Sequence, residues 1–395
     1  MAACHRRYRG AGNALTTGVG GKPSLLILSF SAIVSDARLL KQIDVFRADY
    51  DITTCGYGPK PDGVVDHVEI SADLAVWRYP RALVILRQYA RAYWSNAAIA
   101  AAKRALAGRS FDVVLANDVD TVGLALALEP RAGVHADLHE YAPRMREDLL
   151  RVRLFMHPFI DWMCRRFVAR AASTTTVGEG IAAEYRRRFG FEPAIVTNAA
   201  PFVDAQPSPV HAPLRLVHSG AAQEHRGIIE IIEGVQRSRS ALTLDLYLMP
   251  QNLAFLDALR ALAARTPGRV RISDPVPYAQ LAATLQAFDV GIHVIPPKSF
   301  NHKWALPNKL FDFVQGRLGV VVGPSPEMAA YTERFGIGVV TTGYSAEEIA
   351  RTLDAITPDQ VARWKAASHE HARRLSSEHQ VAVWKGAVDA LVASA

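Results

Sequence analysis

The sequence predicts an α/β protein of two domains, each a parallel sheet covered by helices, facing one another across a cleft. Three observations carry this reading. Short apolar runs alternate with helical patterns along most of the 395 residues. Polar or glycine-rich clusters follow the apolar runs, at the carboxyl ends where open α/β sheets bind ligands. The alternation lapses once, between Asn198 and Pro213, where Pro201, Pro207, Pro209 and Pro213 stand among Asp, Gln, Ser and His, and then restarts.

Leu25-Leu26-Ile27-Leu28-Ser29-Phe30 reads as the first strand, and Ser35-Asp36 introduces a helix carrying Leu39, Leu40, Ile43, Val45 and Phe46. Ile52–Cys55 is a second strand, and residues 80–107 form one or two helices. Phe111–Ala116 is a third strand, followed by Asn117-Asp118-Val119-Asp120-Thr121 at a helix start. Val134–Asp137 is the next strand, ending in Asp137-Leu138-His139-Glu140, and Ser173–Val177 precedes a helix to Phe189. After the linker come strand Leu214–His218, loop Ser219–His225, a helix from Arg226, strand Leu242–Leu248, helix Leu253–Ala264 and a short strand near Val270. Tyr278–Phe288 is helical, Asp289–Val294 is a strand, and Pro307-Asn308 opens a helix carrying Leu310, Phe311, Phe313 and Val314. Strand Val320–Val322 and the turn Gly323–Glu327 follow. The expected division is a disordered leader 1–24, a first domain 25–200, a linker 201–213, a second domain 214–375 and a C-terminal helix within 376–395 that carries Trp384 back to the first domain.

Composition narrows the functional classes. With 50% hydrophobic residues, each domain can bury a core. No run of 18 apolar residues suggests a membrane span. Cys4, Cys55 and Cys164 are widely spaced and include no CxxC pair, which fits a reducing cytoplasm. The net charge of +7 is concentrated in residues 1–200, with 26 Lys+Arg against 20 Asp+Glu, whereas 201–395 hold 19 against 18. No nucleic-acid-binding signature accompanies that excess, which leaves an anionic substrate or an anionic membrane as its partner. Residues 144–172 read as a basic amphipathic helix that either lies on such a membrane or packs on its own sheet.

The chemistry concentrates near Asn308. Amide donors of a helix N-terminus, with Lys309 in the first turn, suit an anion such as a diphosphate, and Asp312 one turn on can accept from a ribose. Arg226, at another helix start after Ser219-Gly220-Ala221, can donate two hydrogen bonds to the same group. His139 follows a first-domain strand and so faces the cleft. Asp118-Val119-Asp120 matches a short metal-binding pattern, but Asp is also a usual residue at a helix start, and no metal site is expected.

Asn-Lys-Leu-Phe-Asp-Phe, then a glycine, a valine strand and Pro-Glu, resembles the donor-nucleotide segment of bacterial glycosyltransferases of family four. The resemblance implies the GT-B fold, two Rossmann-like domains facing across a cleft. It also implies retaining hexosyl transfer, from a nucleotide-diphosphate sugar as co-substrate to a glycan, lipid-linked or small-molecule acceptor, with no further cofactor. It places Gly220, Arg226, Asn308, Lys309, Asp312 and Glu327 at the donor. His139, with Arg226 and Lys309, is placed in catalysis, and Ser35, Asp36 and Arg38 on the acceptor side. Two features depart from the family: Trp304 stands where the first acid of Glu-x7-Glu belongs, and no Gly-Gly follows the first strand. A nucleotide-sugar epimerase of the same fold and an inactive binding partner are the alternatives. The expected location is cytoplasmic, with peripheral contact at the inner face of the membrane as a further option.

Overall fold

Ser24–Ala32 is the strand (β1) around which the first sheet is built in the computed structural model, which describes residues 21–395. The expected leader lies outside the described residues up to position 20. Leu25, Leu26, Ile27 and Leu28 are fully buried because the strand is covered on both faces, and this is why it reads as a continuous apolar run. Asp51–Tyr57 (β2), Asp66–Ile70 (β3), Val113–Asn117 (β4), Val134–Leu138 (β5), Ser173–Thr176 (β6) and Ala194–Ile195 (β7) join it in parallel. The spatial order is β3-β2-β1-β4-β5-β6-β7. Leu25 pairs with Ile52 on one side and Val113 on the other.

The second sheet is also parallel. Leu214–Ala221 (β8), Leu242–Met249 (β9), Val270–Ser273 (β10), Val290–His293 (β11), Gly319–Val322 (β12) and Gly338–Val340 (β13) lie in the order β10-β9-β8-β11-β12-β13. In both sheets the order reverses beside the first strand, so the loops after β1 and β4, and after β8 and β11, diverge and leave a crevice. The two crevices face each other.

Alternate residues of β1 serve opposite layers. Leu26 and Leu28 join one core with Tyr93, Phe159 and Tyr185, while Leu25 and Ile27 join another with Trp384 and Val388 of the last helix, Ser377–Ala393. The C-terminal helix therefore covers one face of the first sheet. The proline-rich segment is also held: Arg317 donates to the carbonyls of Val203 and Ala205, and Asp289 accepts from the His211 amide.

The structure differs from the sequence reading in three places. Residues 80–107 form three short helices, Arg81–Ile85, Tyr89–Trp94 and Ala97–Ala105, where one or two were expected. Strands β3, β7 and β13 were not expected; they are short and lie at or next to sheet edges, where polar residues such as Asp66 and Glu69 are tolerated. The basic segment is not one helix. Helix runs without interruption only from Leu150 to Arg166, with wider π-type winding at Val152–Met156 just before Pro158, and Ala142–Arg144 is a separate short turn. Phe159, Met163 and Cys164 pack inward, while Leu150 and Leu154 remain exposed.

Candidate active site

The second-domain wall of the cleft begins where β8 ends. Gly220 has φ 139°, and a side chain there would collide with the Lys309 amine, so the absent Cβ is what lets Lys309 lie along this strand end. Lys309 belongs to the first turn of helix Asn308–Gln315, which starts after Pro307 with no side-chain cap. Arg226 approaches from a short turn, Glu224–Arg226, and its Nε donates to Gln223 at 3.1 Å. Among the described residues neither cation has a carboxylate within ion-pair distance. Burial and the Arg226 charge pull the Lys309 amine down to about 8, against the opposing Asp312. Burial pushes Asp312 up to about 6, against the hydrogen bond from Tyr278 (3.3 Å) and the charges of Lys309 and Lys41. A cavity of about 380 Å³ spans Gly220, Arg226, Lys309 and Asp312 and has apolar walls at Tyr247, Met249, Pro275 and Leu281.

Behind this wall lie two histidines that sequence reasoning missed. His218 donates from Nδ1 to the Ile292 carbonyl at 2.8 Å, and burial, with help from Lys309, pulls its pKa down to about 3. His293 is held well below the ordinary imidazole range by burial, then by Lys309, and among the described residues neither of its ring nitrogens has a partner. Both rings are therefore neutral at neutral pH. The position of His293 at the carboxyl end of an apolar strand was the available signal.

The first-domain wall is a connected polar network. Arg38 donates to both Asp137 oxygens at 2.7 Å, and Gln42 (2.9 Å) and Thr175 (2.7 Å) donate to the same carboxylate. Burial opposes the charge, but Arg38 holds Asp137 well below the usual carboxylate range. His139 stands above this pair, with Nε2 at 3.4 Å from Asp137 and 3.2 Å from Asn117 Oδ1. Among the described residues no cluster of three or more His, Cys, Asp or Glu is placed to hold a metal ion. Asp120 accepts from Tyr79 (2.5 Å), while Asp118 turns to His139.

Two further cavities complete the cleft. One of about 300 Å³ lies between the domains, lined by His139, Glu140, Arg226, His293 and Trp304 among others. The other, about 450 Å³, is lined by Ser35, Asp36, Lys41, His139, Asn198 and Asn308. The structure thus brings together Gly220, Arg226, Asn308, Lys309 and Asp312 on one wall, and His139, Ser35 and Asp36 on the other. Lys41, one turn after Arg38, belongs with the latter group and went unnoticed in the sequence.

Three residues sit differently from expectation. Arg38 lines the acceptor side, but its guanidinium is committed to Asp137 and to Val196 and Asn198, so it supports the wall and is not free for a ligand. Asp36 spends its carboxylate on the amides of Arg38 and Leu39 as a helix cap. Glu327, expected at the donor, accepts instead from the Gly180 amide at 2.6 Å, bridging to the start of a first-domain helix. Trp304 also reaches across, with its ring where a side chain on Gly180 would have to be.

The comparisons with known proteins fit this geometry. Residues 38–206 match the family model Glycosyltransferase Family 4. This match covers most of the first domain and the start of the linker, and it bears out the family-four resemblance, which was read mainly from second-domain motifs. Solved structures similar over the whole chain include the trehalose 6-phosphate synthase of Burkholderia multivorans (TM-score 0.67, 12% identity, 95% of this chain and 100% of that one). The sucrose-phosphate synthase of Thermosynechococcus elongatus gives 0.67, 10%, 95% and 100%. Anabaena HepE in complex with UDP and glucose gives 0.66, 13%, 93% and 100%. These likenesses show the fold, which is GT-B. No curated protein matches the sequence. Among the described residues no helix is long and apolar enough to cross a membrane.

Proposed function

We propose that this protein is a glycosyltransferase that moves a hexosyl group, with retention, from a nucleoside-diphosphate sugar to a glycan, lipid-linked or small-molecule acceptor. The observation that carries this reading is the pair Arg226 and Lys309, cations without a carboxylate partner among the described residues, beside Gly220 and the start of the Asn308 helix. A diphosphate would supply the missing counter-charge. As the glycosidic bond breaks, the leaving group gains negative charge, and donors already in place stabilise it without reorganising. The protein's own cations would carry that charge in place of a bound metal.

The apolar walls near Pro275 suit a base, and Asp312 suits a ribose. The HepE complex supports UDP as the first nucleotide to try. The acceptor would enter beside Ser35, Lys41 and Asn198, and His139 would face the transferred sugar. Retention is what the family-four resemblance implies, and the widely spaced cysteines support a cytoplasmic location. Peripheral contact with an anionic membrane is supported by exposed Leu150, Leu154 and Phe155 beside Arg151 and Arg153.

A thermal-shift and calorimetric screen of nucleoside diphosphates and their sugars tests the reading. One nucleotide should raise the unfolding temperature and bind with its diphosphate intact, and the nucleoside alone should bind far more weakly. If no diphosphate nucleotide binds, the donor site is not there.

A further inference from the structure

Asp118 stands between β4 and helix Val119–Ala127 with φ 66° and ψ 161°. That region belongs almost wholly to glycine, because an L side chain there crowds its own backbone; residues held in it tend to mark working sites. At a helix start an aspartate ordinarily recovers some stability by capping the first turn, yet the Asp118 side chain accepts from no amide there. It is turned to His139. One oxygen lies 3.5 Å from Nδ1, and the other accepts from the His139 backbone amide at 3.4 Å.

The far edge of the ring faces acceptors as well. Nε2 is 3.2 Å from Asn117 Oδ1 and 3.4 Å from Asp137 Oδ2. The Asn117 amide is oriented by a reciprocal pair with Gln42: it donates to Oε1 at 3.0 Å, and its oxygen accepts from Nε2 at 2.8 Å. A neutral imidazole has one donor nitrogen, whereas both nitrogens here face oxygen acceptors. The arrangement suits a doubly protonated ring.

We propose that Asp118 is a positioning residue whose strained backbone aims its carboxylate at His139, holding that ring as an imidazolium in the first-domain wall. The charged groups around the ring are Asp118 from the β4 loop, Asp137 from β5, Arg38 from helix Ala37–Phe46 and neighbouring Glu140. Burial pulls the imidazole down, and the Arg38 charge adds to that. The charges of Asp118 and Asp137, with the Asp137 hydrogen bond, outweigh them and raise it above its ordinary range. His139 then works as a fixed charge and not as a proton shuttle, and it lines the same cavity as Arg226. That consequence for catalysis rests on the transferase reading; the protonation state does not.

The test is a pH titration of ring-labelled histidines by NMR in the full-length protein, with the His139 signal identified by its loss in His139→Gln. The wild-type ring should deprotonate above the range of a free imidazole. Asp118→Asn should move the midpoint to lower pH. Asp118→Gly, which accepts the same backbone conformation, should do so with no fall in unfolding temperature. With a nucleotide sugar that turns over, Asp118→Asn should shift the alkaline limb of kcat to lower pH and leave the donor KM unchanged. An unmoved His139 midpoint in both Asp118 variants overturns the proposal, as does a large loss of stability in Asp118→Gly. If the wild type turns over no nucleotide sugar, the transferase reading fails, and the ring titration still decides the role of Asp118.

Discussion

On the first-domain wall, Arg38 is locked to Asp137, Asp36 caps a helix and His139 has an acceptor at each ring nitrogen. On the second-domain wall, among the described residues, Arg226 has only a glutamine, and Lys309 lies against the bare backbone of Gly220. Paired charges in a buried setting hold a shape, because each member would be costly to leave alone. Half-buried cations without a partner are costly to keep, and two of them side by side fit the site proposed above for an anion brought from outside. The two walls of one cleft therefore differ in their charges: the Arg38–Asp137 pair is scaffold, whereas under the proposed function Arg226 and Lys309 are receptor.

The sharpest way to break this division is to remove Arg38. Asp137 is fully buried, and Arg38→Ala would leave its charge without its main partner. Loss of about 3–5 kcal/mol of stability is expected in chemical denaturation. A change below about 1 kcal/mol would mean that the pair is not scaffold.

On the opposite wall the prediction reverses. Arg226→Ala and Lys309→Ala should leave the unfolding midpoint near that of the wild type, while each weakens nucleoside-diphosphate binding by about 1.5–3 kcal/mol, or about tenfold to a hundredfold. Calorimetry with the nucleotide found in the screen reads this directly. Unchanged affinity in both variants would remove the receptor wall.

A smaller effect concerns pH. The Lys309 amine titrates near 8, so it is charged below that pH and loses its charge as pH rises through it. Diphosphate affinity should therefore change by no more than about twofold between pH 7 and 8 and fall above pH 8 by at most about tenfold per unit. Proton uptake on binding should be visible there in buffers of different ionisation enthalpy. Lys309→Arg, which stays charged throughout, should flatten the profile. An identical slope in that variant would assign the titration to another group.

What the sequence disclosed follows the same physical divide. Leu25–Leu28 and Val320–Val322 were legible as strands because burial on both faces demands unbroken apolar runs. The edge strand Asp66–Ile70 carries no such demand and left no signal. Arg226 and Lys309 were legible because a helix start is a local feature. The Arg38–Asp137 pair was not, since its members are 99 residues apart and meet only through the packing of a helix against the strand ends of the sheet. Glu327 was expected at the donor from the family-four resemblance, but in the structure its partner, the Gly180 amide, comes from the other domain.

That cross-domain contact has company. Phe300 packs on Tyr141 with ring centroids 4.8 Å apart, Asn301 accepts from the Tyr141 amide at 2.9 Å, and the Trp304 ring occupies the space that glycine leaves at 180. To open the mouth of the cleft widely, an indole must be drawn out of its seat and a carboxylate parted from an amide. Such a keyed joint resists parting of the two domains at this rim. A methyl group at position 180 would leave the key permanently half out of its lock.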